Sequence, residues 1–384
     1  MSSAKIFILL SMLVFVGMTT TCITPFSAKG VDVEEETLVI EGDIIVHGDT
    51  KIYLSFLKTL DGYYDFSYVT AAEVWVQDID GASFLGSLMT ETNNPPYFLI
   101  DTKSLGLDNQ YKLCVRLYNG KSYESDFLTP IHTPAIDTIE YIINDTRTAV
   151  DFFVTTHGDA DNAPYYKWSY VEDWEIISTY ATNVYYDRPS NRFLEYATER
   201  PVYYCWAQSK SAAILIAKTD HLQDNIVLQQ KLNTVTDRDN RISYLYSMEL
   251  SQMSISKEAY TYWSTLKRNT DEIGGIFAPQ PNDIYGNIRC VTDPGVRTIG
   301  YISAGTHSVK RIYVTHQELI LYKFPSCDFV IPPIGFTNRD MYDTGHQIVG
   351  SGLSRIDGWV PRGCVDCTAM GTKNRPSFWP NNHL

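Results

Sequence analysis

The chain has 384 residues, with 31 Lys and Arg against 45 Asp and Glu, which gives a net charge of −14. Hydrophobic residues make up 44% and charged residues 20%, a globular composition that excludes wholesale disorder. The acidity argues against a nucleic-acid binder, which needs a basic face for phosphate. The lack of long apolar runs after residue 20 argues against a multi-span membrane protein.

The N-terminus carries an address. Lys5 is the only charge before Cys22, and the apolar stretch 6–16 is followed by the small and polar Gly17-Met18-Thr19-Thr20-Thr21. That order reads as a secretory signal over residues 1–21. A cysteine directly after it predicts a bacterial lipoprotein with Cys22 as the lipidated terminus; the alternative is a plain secreted chain. Multiple acyl chains on Cys22 would anchor it stably. Residues 22–36 are polar, end acidic, and predict a tether.

From Leu38 the pattern changes to short alternating runs, the period of half-buried strands. Leu38-Val39-Ile40, Thr50 to Phe56, Ala72 to Asp78, Tyr97 to Ile100, and Tyr111 to Leu117 are such runs. Asn119-Gly120 marks a tight hairpin. About seven strands in so short a span predict an immunoglobulin-like β-sandwich over residues 37–130. Thr129-Pro130 and Thr133-Pro134 mark a linker.

A larger, second β-rich domain is predicted over 135–315. It starts with Asp137 to Ile143 and Ala149 to Val154, and continues through Tyr165 to Trp168, Val202 to Trp206, Ala213 to Ala217 and Asn225 to Leu228. A helical insertion is predicted near 256–269. Ser256 can cap it, Ile255 can staple onto Tyr260, and Ala259, Tyr262, Trp263 and Leu266 form one apolar face. Strands follow at 286–290, 299–304 and 310–314. Residues 316–384 are rich in Gly and Pro and predict an irregular, disulfide-stapled tail packed on the second domain.

Export makes the cysteines disulfide candidates. Spacing does not settle the pairing of the six that remain beside Cys22. Cys205, Cys327, Cys364 and Cys367 are the candidates, with the last three expected close together. Cys114 and Cys290 lie in strand-like runs and are expected as buried thiols. Cys364-Val365-Asp366-Cys367 has neither the βαβ context of a redox pair nor the second ligand pair of a zinc site. His157-Gly158-Asp159-Ala160-Asp161-Asn162 lacks the pattern of a calcium loop and reads as an acidic hairpin tip. No motif nominates a catalytic residue, a metal ligand or a cofactor site. The 27 tyrosines, several in doublets, offer an adhesive face or simply β-propensity.

Five blocks together resemble a known family. They are Leu38-Val39-Ile40-Glu41-Gly42; Ser254 to Tyr260 with Tyr262-Trp263; Gly286-Asn287-Ile288; Ile299-Gly300-Tyr301 with Val309-Lys310-Arg311-Ile312; and Cys364-Val365-Asp366-Cys367 followed by Gly371, Lys373 and Pro376-Ser377-Phe378-Trp379. The chain resembles the Bacteroidota outer-membrane lipoproteins grouped as domain of unknown function 4249. The resemblance implies an exported, lipid-anchored protein of the outer membrane, encoded beside a TonB-dependent transporter; the first expectation is a surface or periplasm-facing binding accessory of that transporter in nutrient capture, placed at the cell surface. It implies no catalytic residue. A free-standing structural or adhesive surface protein is the second expectation.

Overall fold

The computed structural model describes residues 37–60, 63–91, 94–159, 163–197, 202–271, 285–315, 317 and 327–381. The expected signal peptide, Cys22 and the tether lie outside these residues. The chain is mainly β. Its first strands are β1 (Thr37–Glu41), β2 (Ile44–Ile45), β3 (Gly48–Leu60), β4 (Tyr63–Tyr68), β5 (Ala72–Asp78), β6 (Ser83–Leu85), β7 (Ser87–Met89), β8 (Tyr97–Thr102), β9 (Tyr111–Leu117) and β10 (Ser122–Ser125). One sheet runs β1-β3-β8-β7 and the other β10-β9-β5-β6, the strand order of an immunoglobulin-type sandwich.

Alternation along each strand sends one set of side chains inward. Leu38 and Ile40, Ile52 and Leu54, Val74 and Val76, and Leu113 and Val115 meet in a shared core. Tyr111, at the start of β9, donates its hydroxyl hydrogen to the Gly106 carbonyl at 3.1 Å and accepts from Gly106 N–H. This is the tyrosine corner of such sandwiches. The Asn119-Gly120 turn forms as expected, with Gly120 at φ +85°, a conformation glycine adopts without strain.

The second sandwich uses β11 (Ile136–Ile143), β12 (Ala149–His157), β13 (Tyr165–Ile177), β14 (Val184–Asp187), β15 (Arg192–Glu195), β16 (Tyr204–Lys210), β17 (Leu215–Lys218), β18 (Ile226–Thr236) and β19 (Leu245–Ser254). Helix α1 (Lys257–Asp271) follows, then β20 (Ile288–Cys290), β21 (Thr298–Ile299), β22 (Ala304–Gly305) and β23 (His307–Thr315). The sheet β11-β12-β18 shares a core with β16-β13-β19-β23. Phe152 and Tyr246 meet at its centre, their ring centroids 5.1 Å apart. Strand β13 runs 13 residues, well past the Trp168 end that the sequence pattern predicts. Its second half carries Glu172, Asp173 and Glu175, and all three are buried.

Helix α1 starts where its cap predicts. Ser256 Oγ accepts from Ala259 N–H at 3.1 Å, satisfying one of the free first-turn donors. Ala259 packs with Ile255, Tyr165 and Met253, and Tyr260, Trp263, Ile45 and Tyr301 close the cluster. Ile45 and Tyr301 belong to the first sandwich's side of this cluster, so the helix is a wedge between the two sandwiches.

The strands after the helix correct the expected boundary. Residues 286–305 were expected in the second domain, but β20 pairs with β10, β21 pairs in parallel with β1, and β22 with β2. Ile288, Cys290, Ile302 and Ala304 complete the first core. The return is pinned by atoms that tolerate no substitution. A Cβ on Gly286 would sit 1.7 Å from the Gly300 carbonyl oxygen, and one on Gly300, at φ +141°, 2.2 Å from Ile40 O. Between them, Asn287 acts like a strand: its Nδ2 donates to Ile302 O at 2.8 Å and its Oδ1 accepts from Ile302 N–H at 2.9 Å. Gly286→Ala is therefore expected to destabilise the protein by about 3 kcal/mol or more. Gly106→Ala, where nothing lies within 4 Å, should change it little. Denaturant unfolding of the two variants checks the contrast.

The tail is more regular than its Gly and Pro content predicts. After α2 (Asn338–Asp343), strands β24 (His346–Gly352) and β25 (Arg355–Pro361) form a hairpin. Gly350 permits its close approach, since a Cβ there would lie 2.6 Å from Arg355 O. Thr337 and Asp340 cap α2 reciprocally. Met341, Ile348 and Trp359 then pack against Val184 and Tyr186 of the β14–β15 hairpin.

Candidate functional site

The conspicuous C-terminal motif proves to be a clamp. Cys205 is bonded to Cys367 and Cys327 to Cys364, so all four candidate cysteines are used and the three late ones do converge. The two cysteines of Cys364-Val365-Asp366-Cys367 are bonded to different partners, not to each other. Asp366 caps the turn that begins at Cys367, accepting from Thr368 N–H at 3.0 Å and from Arg362 Nε at 3.0 Å. Beyond it, Thr372 and Trp206 exchange two backbone hydrogen bonds of 2.8 Å, covering the free edge of β16 as sheet edges require. Phe378 ends the clamp with its ring 3.5 Å from the Arg311 guanidinium. Cys114 and Cys290 are buried thiols. Burial pushes the Cys114 thiol up to about 11, which leaves it unreactive at neutral pH.

The buried carboxylates are equally committed. Glu172 accepts from Arg241 Nη1 at 2.7 Å, Asn233 Nδ2 at 2.7 Å and the Tyr246 hydroxyl at 2.6 Å. Burial first, then the neighbouring Glu172 charge, hold Tyr246 well above its ordinary value. On the other face of the sheet, Asp173 accepts from Gln208 Nε2 at 2.8 Å and Arg311 Nη1 at 3.2 Å. Glu172, engaged on both oxygens, holds the fold together, while Asp173 also lines a concavity along the clamp. His157 pairs with Asp137, while residues 160–162 of the expected acidic tip lie outside the described residues. Among the described residues, no group of three or more His, Cys, Asp or Glu could hold a metal ion, and no helix is long and apolar enough to cross a membrane.

An open cleft of about 660 Å³ remains, within the range of small-molecule sites. It is assembled from distant parts of the chain: Thr37 at the start of β1, Tyr262 and Leu266 of α1, and Tyr285 through Ile299 of the returning segment. Its walls combine aliphatic Leu266, Ile288 and Val296 with two tyrosines and two guanidinium groups. Arg289 is ion-paired to Asp126. Arg297 lies 5.9 Å from the ring of Tyr285, which is strongly exposed. Tyr262 is pushed up mainly by burial, opposed by its hydrogen bond to the Gly300 backbone. Glu41, nearby, is raised by burial. The free thiol of Cys290 also lines the cleft. Cations, ring faces and apolar walls suit binding of a planar or anionic small molecule.

Sequence reading named Tyr262 and Gly286-Asn287-Ile288 but assigned them no common site. Nothing in residue spacing shows that Thr37, Tyr262 and Arg297 share a cleft. A second concavity of about 580 Å³, lined by Glu91, Gln208, Trp206 and Thr372, lies along the clamp.

The chain matches, over residues 23–311, the family described as Domain of unknown function (DUF4249). No curated protein matches it.

Proposed function

The chain belongs to the domain of unknown function 4249 family, and from that premise we propose that it is an exported, non-enzymatic binding protein. In this reading it is lipid-anchored at Cys22 to the outer membrane and serves a TonB-dependent transporter as a capture accessory. The cleft between α1 and the returning segment carries the reading, because it joins apolar walls, two tyrosines and two arginines in a volume fit for a nutrient-sized ligand. The two disulfides support an oxidising compartment.

A tagged bait, gently solubilised from outer membranes and read by mass spectrometry, tests the partner. A stoichiometric TonB-dependent transporter is the expected result. Its absence from an intact, lipidated bait would overturn the accessory role in favour of a free-standing surface protein. Cys22→Ala is expected to move the protein from washed membranes to the soluble exported fraction. Full retention would remove the anchor.

A further inference from the structure

The second concavity, along the clamp, has a volume of about 580 Å³, within the range of small-molecule sites. One wall is β16. Trp206 and Gln208 alternate onto one face of it, opposite Glu175 and Asp173 in the register with β13. The other wall is the tail, where Met370, Thr372 and Asn374 follow Cys367. Both walls are fixed. The Cys205–Cys367 bond joins them, and Trp206 and Thr372 exchange their two backbone hydrogen bonds. Gly371 lets the tail approach, since a Cβ there would lie 2.6 Å from Trp206 O. A site held in this way loses little entropy on binding.

We propose that this concavity binds a short neutral saccharide, its ring stacked on Trp206 and its hydroxyls bonded to the amides of Gln208 and Asn374. The indole is half-buried, and among the described residues its Nε1 is enclosed without an acceptor. What it offers the cavity is therefore carbon surface, the complement of the C–H face of a pyranose. Gln208 is exposed, yet its amide is oriented: Nε2 donates to Oδ1 of the buried Asp173 at 2.8 Å. The other Nε2 hydrogen and Oε1 remain for a ligand, so one amide both donates and accepts. Asn374, also exposed, brings a second amide from the facing wall. The lining selects against charge. None of its described residues is Lys or Arg, so an anion would meet carboxylates and no cation of the wall. An ammonium group finds no bare carboxylate either. Asp173 Oδ2 accepts from Arg311 Nη1 at 3.2 Å, and Glu91 accepts from Asn94 Nδ2 at 3.1 Å and from the Tyr97 hydroxyl at 3.0 Å. Uncharged groups that donate and accept at once suit what is left, and a sugar hydroxyl is such a group. This site is separate from the cleft beside α1 and does not rest on the function proposed for that cleft.

The test is titration calorimetry of the full exported chain, in a detergent without a sugar headgroup, against maltotriose, xylotriose and mannotriose. Saturable one-to-one binding of at least one of them is expected. Gln208→Ala should weaken it about tenfold, with a melting curve close to the parent's because the side chain is exposed. Trp206→Leu should weaken it as much, and Trp206→Tyr should recover part of that loss, as a ring platform requires. Should the Trp206 variants unfold, Gln208→Ala decides. No binding of any of the three sugars, an unchanged affinity in Gln208→Ala, or tighter binding of trigalacturonic acid or spermidine overturns the proposal.

Discussion

Removing the Cys205–Cys367 bond, as Cys205→Ala with Cys367→Ala, is expected to lower the unfolding free energy by about 4–5 kcal/mol. The bond spans 162 residues, against 37 for Cys327–Cys364. Loop-closure entropy rises with the logarithm of that span, so the shorter bond should contribute about 1 kcal/mol less. The longer loop contains most of the second sandwich, from β16 to the tail. Opening it also loosens Cys367, Ile176 and Trp174, which pack around it. Urea unfolding without reductant, on each paired Cys→Ala variant, reads both effects. A change under about 1 kcal/mol for the 205–367 pair would show that the clamp is held by packing alone.

Arg241→Ala is the second large effect. Glu172 is 2% exposed, and Arg241 faces it with two contacts, at 2.7 and 2.9 Å. Arg241 in turn reaches Asp239 at 2.6 Å. Deleting one partner of a buried pair strands the other charge and destabilises by about 3–5 kcal/mol. Glu172→Gln in the same chain should recover part of this loss. It removes the stranded charge yet leaves an acceptor for Tyr246 and Asn233. Arg289→Ala breaks an ion pair to Asp126 whose side chains are both more than half exposed, and should stay within about 1 kcal/mol. Equal losses for Arg241→Ala and Arg289→Ala would refute the buried-pair account.

Much of this fold was legible locally. The Ser256 cap and the spacing of Ala259, Tyr262 and Leu266 place α1 to within two residues of its observed ends, Lys257–Asp271. Alternation identifies Val74 and Val76 as inward, and both are fully buried. Of the tyrosine doublets, Tyr185-Tyr186 follows the one-in, one-out rule, with Tyr186 in the core. Tyr165-Tyr166 does not: both are buried, because Tyr165, on the outward face, is covered by α1 through Tyr260 at 5.3 Å. What escaped was long-range. Strands of two or three residues, such as Thr298–Ile299, carry no sign of their partner. Glu172 shares the inward face of Tyr170 by period, but nothing in the spacing shows that Arg241, 69 residues on, lies beside it. The cleft escaped for the same reason, since its walls come from opposite ends of the chain.

The nesting of the two disulfides bears on how such a chain matures. A polypeptide threaded through a membrane with its N-terminus leading presents Cys114, Cys205, Cys290 and Cys327 before Cys364 and Cys367. Both native bonds wait for those last two. An oxidase that joins thiols in order of arrival would link 114 to 205 and 290 to 327, trapping two thiols that belong in the first sandwich's strands. Correct assembly of an exported chain then depends either on early folding, which hides Cys114 and Cys290 inside that sandwich, or on a disulfide isomerase. On the first route the N-terminal sandwich, by burying those two thiols, would act as a proofreader for cross-links it does not itself contain.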